Sequence, residues 1–269
     1  MKYYTIEPPP QLAPYVRCFW VYEGEASETA PFVHRSYADG LAEMVFHYKG
    51  TFDQVFEDGR TQASFKAGVH AQSSQFSRFL IERAFGIFGV YLYPYAIPEL
   101  FRMPATDLTG QMPDLGTIFG FAGRELEERV MLSRTNEERA NIVSEFLLER
   151  LNKTRGEIPL IFSSISHIIE TKGLVNIGSL SDRYFSSARN FERRFKEFAG
   201  LSPKLFSRIV RFQSTIKEYG RQGRSLTDIA YDFGYYDQSH FIREFREFSG
   251  YSPKEFFSGR AEGADYLEP

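Results

Sequence analysis

A basic block in the C-terminal third of the chain carries the side chains best suited to chemistry with an anionic partner. Residues 187–224 hold 10 Lys/Arg and 3 Asp/Glu, although the 269-residue chain as a whole has a net charge of −3. Cations at this density can neutralise phosphates and so release condensed counterions. A solvated helix face with surplus cations explains the same composition. The charge alone therefore leaves both interpretations open.

The same block contains one copy of an internal repeat with a period of 50 residues. Residues 191–206 and 241–256 are identical at ten of sixteen paired positions. In each copy three phenylalanines fall at i, i+4 and i+7, which places them on one helix face and predicts a buried core stripe. Gly200 and Gly250 then predict left-handed helix ends. The Ser-Pro pairs that follow them predict a cap and a first turn for the next helix.

A shorter amphipathic helix is predicted upstream of each stripe. Residues 177–184 precede the first copy, and residues 225–233 precede the second, with Ser225 and Asp228 at capping-box positions. A short helix, a tight turn and a longer helix make the helix-turn-helix pattern. Two copies of one compact module fit better than a solenoid, which needs at least three units to bury its faces.

The doubled pattern resembles the DNA-binding domain of AraC/XylS-type transcriptional regulators. Residues 180–206 are similar to its first half and residues 225–257 to its second, notably at 228–230, 234–241 and 245–253. The departures are Ser181, where the family commonly has alanine, and Phe185, where its turn commonly has glycine. The resemblance implies a bacterial-type regulator that binds double-stranded DNA, with the longer helix of each module in the major groove.

The resemblance also implies that polar residues between the phenylalanines read base edges. These residues are Arg189, Asn190, Glu192 and Arg193 in the first module, and Gln238, Ser239, His240 and Arg243 in the second. Arginine can pair with guanine, glutamine with adenine, and glutamate can accept a hydrogen bond from cytosine. For Arg193 and Arg243, which occupy matching positions, a salt bridge to the glutamate four residues on is the alternative. Because the two sets differ, we expect an asymmetric site rather than a palindrome.

Phosphate contacts are expected from neighbouring cations and from the N-termini of the longer helices. The residues expected to make them are Ser187, Lys196, Lys204, Arg208, Arg211, Asp237, Arg246 and Lys254. A helix from Pro203 to about residue 219 would connect the modules and fix their spacing.

The chain as a whole is expected to have an α+β fold with three regions. Residues 1–122 are rich in aromatic and β-branched residues between Asp-Gly and Lys-Gly turns, which predicts a mainly antiparallel β barrel or sandwich. Residues 123–158 predict a helical linker broken near 133–136, with a dimerisation element and an intrachain strut as open alternatives. Residues 159–260 predict an all-α domain with the two helix-turn-helix units.

The β-rich region is the expected regulatory domain, because segments 12–22 and 93–96 resemble the sensory-type N-terminal domain of a subset of the same family. Aromatic residues that could line an apolar pocket, with core filling as the alternative, are Trp20, Phe46, Tyr48, Tyr91 and Tyr93. His34, His47 and His70 are dispersed, so no metal site is expected. Cys18 lies among apolar residues, which favours a structural thiol over a redox sensor.

Catalysis is not expected, because the sequence has no Gly-rich phosphate loop and no Gly-Xaa-Ser-Xaa-Gly nucleophile motif. No cofactor is expected either. One cysteine, no signal-peptide pattern and no apolar run of about 18 residues predict a cytoplasmic protein that does not enter a membrane. Double-stranded DNA is the expected partner, with RNA polymerase, a small-molecule effector and a second copy of the chain as further candidates. The alternatives are a protein-interaction or ligand-sequestering module without DNA binding and, third, an enzyme with a β-barrel active site.

Overall fold

The computed structural model describes residues 1–152, 160–184, 187–219, 225–258 and 261–262. The predicted linker segment 153–159 and the turn position Phe185 lie outside these residues. In the described part of the chain, strands come first and helices follow, so the predicted α+β class is confirmed.

The secondary structure of the described residues has the following bounds. The strands are β1 (Lys2–Ile6), β2 (Val16–Gly24), β3 (Phe32–Ser36), β4 (Ala42–Lys49), β5 (Asp53–Val55), β6 (Thr61–Ala63), β7 (Ala67–His70), β8 (Ser77–Ile81) and β9 (Phe85–Leu92). A π-helical turn (Ile97–Phe101) and a 3₁₀ turn (Ala105–Asp107) come next. The α-helices are α1 (Leu115–Phe119), α2 (Phe121–Leu132), α3 (Asn136–Asn152), α4 (Leu160–Glu170), α5 (Ile177–Tyr184), α6 (Ala188–Ala199), α7 (Pro203–Tyr219), α8 (Leu226–Asp232), α9 (Gln238–Ser249) and α10 (Pro253–Phe257). Over these residues, no helix is long and apolar enough to cross a membrane.

The strands form two open antiparallel sheets rather than a closed barrel. The larger sheet has the order β1-β2-β9-β4-β7, and the smaller has the order β3-β8-β5-β6. Trp20 and Tyr91 of the larger sheet share an apolar cluster with Phe79 and Ile81 of the smaller sheet. The two sheets therefore face each other, and the sandwich alternative of the prediction is the one that the chain adopts.

The larger sheet is buried on both faces because its strands carry apolar residues at successive positions. On β2, Trp20 faces the smaller sheet, whereas Phe19 joins a cluster with the helices of the predicted linker. Val130 of α2 and Leu147 of α3 are fully buried in that cluster. The helices α2 and α3 thus brace the sheet from outside, which fits the intrachain strut, while dimerisation through them stays a prediction.

The phenylalanine stripes form the centre of a second core in the helical region. Phe191, Phe195, Phe241 and Phe245 are at most 1% exposed and belong to one cluster with residues of α4, α7 and α10. The prediction that these stripes are core rather than contact surface is confirmed. Any recognition must therefore use the other faces of α6 and α9.

Both longer helices end against the β region. Gly200 and Gly250 have φ values of 72° and 78°, which confirms the predicted left-handed helix ends. The carbonyl oxygen of Gly200 accepts a hydrogen bond from Thr109 Oγ1 at 3.0 Å. A Cβ on Gly250 would lie 2.6 Å from the Phe76 ring. The N-terminal β-rich region therefore contacts each helix-turn-helix unit at the same structural position, through Thr109 and Phe76.

Candidate nucleic-acid interface

The first helix-turn-helix unit consists of α5 and α6, with Ser187 as the N-cap of the longer helix. The Ser187 side chain accepts a hydrogen bond from the backbone N–H of Asn190. Ser181 of α5 is buried, and its hydroxyl donates to the Gly178 carbonyl at 2.9 Å. This bond satisfies the hydroxyl at the position where the family commonly has alanine.

The second unit consists of α8 and α9 and shows the predicted caps. Ser225 and Asp228 form a capping box at the start of α8, and Gly234 ends that helix with a φ of 66°. Asp237 accepts a hydrogen bond from the backbone N–H of His240 at 2.7 Å, which makes it the N-cap of α9. Local sequence thus sets where each helix of this unit begins and ends.

The predicted base-reading residues lie on the faces of α6 and α9 opposite the phenylalanine stripes. The exposed members of the set are Arg189, Glu192, Arg193, Gln238, Ser239 and Arg243, and the half-buried members are Asn190 and His240. None of these eight residues belongs to a buried phenylalanine stripe. Four of them lie together on α6 and the other four on α9.

The two arginines at matching repeat positions differ in their surroundings. Arg193 donates to Asn190 Oδ1 at 3.1 Å and lies 3.6 Å from Glu197, which is the salt bridge named as its alternative. Arg243 is exposed and has no hydrogen bond or ion pair with any residue of the described ranges. Its neighbour Glu247 pairs instead with Arg208 at 2.6 Å. Of these two arginines, Arg243 is therefore the more available to an external partner.

Two residues predicted to bind phosphate are engaged inside the protein. Arg208 Nε lies 2.7 Å from Glu244 Oε2, and Arg211 Nη2 lies 2.8 Å from Glu244 Oε1. The Glu244 side chain is only 1% exposed. Charged groups this deeply buried persist when they are paired and hydrogen-bonded. These arginines therefore join α7 to the inner face of α9, and their contact with phosphate stays a prediction.

Two further side chains complete this polar cluster. The Arg211 guanidinium lies over the Tyr235 ring at 4.3 Å, and His240 Nε2 is 3.8 Å from Glu244. Burial, with the Glu244 charge as the next cause, raises the pKa of Tyr235 well above its usual value, so the phenol stays protonated. The cluster therefore holds α9 in one orientation against α7.

Sequence reasoning missed Glu244 because it lies in a charged stretch that resembles a solvated face. The signal that could have identified it is in the repeat, where copy one has Arg194 at the matching position and copy two has an acid. Sequence reasoning also missed Tyr231 and Tyr236, which are 68% and 88% exposed in α8 and just before α9. Large exposed aromatic groups beside a recognition helix are candidate contact residues.

The other predicted phosphate ligands are available at the surface. Those with exposed side chains are Lys196, Lys204, Arg246 and Lys254, and those that cap helix N-termini are Ser187 and Asp237. Lys196 also pairs with Glu192 at 2.9 Å. Because such exposed pairs are weak, a phosphate could displace this one.

A cavity of about 300 Å³ lies between the sandwich and the helical region. Two of the five predicted pocket aromatics, Trp20 and Tyr91, line it. Phe46 points from β4 to the opposite face of the sheet, because alternate residues of a strand face opposite ways. Tyr48 lies in a surface cleft, and Tyr93 stacks on Tyr95 at 5.7 Å. These three residues are therefore not part of the cavity wall.

The three dispersed histidines all line this cavity. Burial lowers the pKa of His34, His47 and His70 to about 4 each. The nearby His70 contributes further to the effect on His34, while hydrogen bonding to the backbone at Phe65 opposes the effect on His47. The imidazoles are therefore neutral near pH 7. Within the described residues, no group of three or more histidine, cysteine or acidic side chains is arranged to hold a metal ion.

Two families match the chain at the two regions described above. Residues 180–259 match the family described as "Helix-turn-helix domain", and residues 4–114 match "Domain of unknown function (DUF6597)". The chain therefore contains a helix-turn-helix domain over residues 180–259, in the region where its sequence resembles AraC-type regulators. No curated protein matches the sequence.

The chain is similar in structure to ToxT of Vibrio cholerae. ToxT from strain O395 is 11% identical, and the match covers 89% of this chain and 97% of ToxT with a TM-score of 0.47. A 1.65 Å structure of ToxT is 12% identical and covers 96% and 98% with a TM-score of 0.48. Wild-type ToxT of strain SCE256 with bound unsaturated fatty acid is 12% identical and covers 93% and 96% with a TM-score of 0.46.

Proposed function

We propose that the chain binds an asymmetric DNA site by placing α6 and α9 in two successive major grooves. The observation that supports this function is that the two helices share a buried stripe but expose different side chains. The common stripe packs both helices against the core in the same way, whereas their different exposed side chains would contact different bases. One chain would then recognise two unlike half-sites about one helical turn of DNA apart.

In this proposal Arg243 reads a guanine and Gln238 reads an adenine in the second half-site. Arg189 and Arg193 supply the corresponding donors in the first half-site. Arg193 would leave its exposed salt bridge with Glu197 and bind a base instead. Tyr231 and Tyr236 add hydroxyl donors at the edge of the second unit. Arg208 and Arg211 contribute indirectly, since they orient α9 through Glu244.

Replacing Arg243 by alanine should weaken binding to the specific site by about 1–3 kcal/mol and relax the base preference at one position. Arg243→Lys is the matched control, because it keeps the charge and loses the bidentate geometry. We expect the lysine variant to retain affinity for random DNA while losing affinity for the specific site. Fluorescence anisotropy on specific and random duplexes measures both. Equal losses by the alanine variant on the two duplexes would show that Arg243 does not read a base.

Replacing Lys204 by alanine should reduce binding similarly on all sequences. Each neutralised phosphate contributes about 0.9 to the magnitude of the slope of log affinity against log salt. Loss of one phosphate contact should therefore reduce this magnitude by about 0.9. The measurement is a salt titration of binding on one duplex. An unchanged slope would mean that Lys204 contacts no phosphate.

The N-terminal region would regulate this binding, through a small-molecule effector or through dimerisation. Its support is the packing of the sandwich against the ends of α6 and α9, which lets a change in the sandwich alter both units. RNA polymerase is a further partner that such a regulator would contact. A salt-dependent shift of promoter DNA by the purified chain tests the proposed function, and its absence would favour an interaction module without DNA binding.

A further inference from the structure

We propose that the cavity between the sandwich and the helical domain binds an uncharged aromatic molecule that carries hydrogen-bond-accepting oxygens. This inference deepens the regulatory role proposed above for the N-terminal region and rests on it. It assigns that role to one cavity and one class of ligand.

The cavity wall comes from both parts of the molecule. Trp20, Val45 and Tyr91 contribute from the larger sheet, whereas Ile216 of α7 and Phe256 of α10 contribute from the helical domain. A volume of about 300 Å³ lies at the lower end of the range for small-molecule sites. The wall is mostly aromatic and aliphatic, which favours a flat apolar ligand.

The cavity also contains polar donors that have no acceptor among the residues that the structure describes. Trp20 is 6% exposed, and its Nε1 is buried without a hydrogen-bond partner, as are Arg35 Nε and Ser64 Oγ. Gly89 allows this placement, because a Cβ there would overlap the indole ring. Buried donors usually have partners, so a ligand that supplies acceptor oxygens would satisfy them.

The charges around the cavity favour an uncharged ligand. The Arg35 guanidinium lies between the Phe76 and Tyr251 rings at 4.7 and 4.1 Å, and 4.0 Å from Glu262. Lys217 and Glu43 are of opposite sign, and each already takes part in an interaction. The imidazoles that line the wall are neutral. A ligand carboxylate would therefore lose its hydration and would have to compete with the partners that Arg35 and Lys217 already have.

Occupancy of this cavity would act directly on the DNA-binding domain. Its wall includes Gln213, Ile216 and Lys217 of α7, the helix that connects the two units. Gln213 Nε2 also donates to the Ala38 carbonyl of the β region at 2.7 Å. A ligand that presses on this side of α7 would change how the units sit against the sandwich.

Three matched small molecules test the proposed class of ligand on the full chain in the absence of DNA. Coumarin is uncharged and aromatic and carries carbonyl and ring oxygens; naphthalene has the same two-ring shape without oxygens; 2-naphthoate adds a negative charge. Trp20 is the single tryptophan of the chain, so its fluorescence reports on the cavity itself. We expect coumarin to change this emission saturably and to bind about tenfold more tightly than either other probe.

Two variants separate the cavity from the rest of the surface. Val45→Phe fills the cavity and should abolish the coumarin response, whereas Val55→Phe on β5, which does not line it, should leave the response unchanged. Should circular dichroism show that Val45→Phe is unfolded, Ile87→Phe fills the same space. Trp20→Phe removes the Nε1 donor, and by calorimetry its affinity for coumarin should fall to that for naphthalene.

The proposal would be overturned by three results. The first is that coumarin causes no saturable change in Trp20 emission. The second is that it causes the same change in the folded cavity-filling variants, and the third is that 2-naphthoate binds more tightly than coumarin. Because no DNA is present, these results are independent of whether α6 and α9 read bases. A chain that binds coumarin but no DNA would refute the proposed function and leave the cavity assignment standing.

Discussion

Replacing Glu244 by alanine should destabilise the second helix-turn-helix unit by about 3–5 kcal/mol. The change leaves Arg211, whose Nη2 lies 3.0 Å from Glu244 Oε2, with an uncompensated charge at the junction of α7 and α9. It leaves Arg208 paired with Glu247 alone. It also removes the carboxylate beside His240 and Tyr235. We expect α9 to lose its fixed orientation, so specific DNA affinity should fall together with stability.

Glu247 provides a matched control for this prediction. It is an acid on the same helix and pairs with the same Arg208, yet its side chain is 48% exposed. Exposed pairs contribute about 0–1 kcal/mol, so Glu247→Ala should leave both stability and specific binding nearly unchanged. Urea unfolding and anisotropy of the two variants supply the comparison. If both variants lost equal stability, the buried cluster would not be what orients α9.

Lowering the pH from 7 to 5 should destabilise the sandwich by about 2 kcal/mol for each of His34, His47 and His70. Each folded-state pKa is about 4, whereas the unfolded value is 6.5, so the unfolded chain binds protons first. The contribution of each histidine is fully present above pH 6.5 and is lost as the pH falls towards 4. Carboxylates with lowered pKa, such as Asp114, lose their contribution only at still lower pH.

Thermal unfolding followed by Trp20 fluorescence at several pH values measures this dependence. His47→Gln is the informative variant, because it removes one of the three titrating groups and should reduce the slope of stability against pH by about one proton in this range. A sandwich whose unfolding temperature stayed constant between pH 7 and pH 5 would show that the imidazoles are not buried in the neutral form.

Local sequence signals predicted the helical domain well. Its stripes, caps and left-handed glycines follow from hydrophobic periodicity and from short side chains that bond the adjacent backbone, all within a few residues. Ser225 with Asp228 and the pair Gly200 and Gly250 are examples. The assignment of α6 and α9 as recognition helices needed more than this, namely the repeat and the family that it resembles.

The features that sequence did not predict depend on contacts between distant segments. Glu244 meets Arg208 and Arg211 only after α7 packs on α9, so nothing local distinguishes it from a surface acid. Phe46 was a pocket candidate because it is aromatic, with core filling as the alternative, and its strand position turns it into the core towards the helices. The choice of open sandwich over barrel likewise depends on strand pairing, which residue types alone do not determine.

The central claim is that one chain reads two unlike half-sites, and selection from a random DNA library by the purified full chain tests it most directly. The account predicts enriched sequences with two different motifs in fixed order, about one helical turn apart. It further predicts that Arg243→Lys alters the second motif only. Enrichment of a palindrome, of one motif alone, or of no sequence at all would contradict the account.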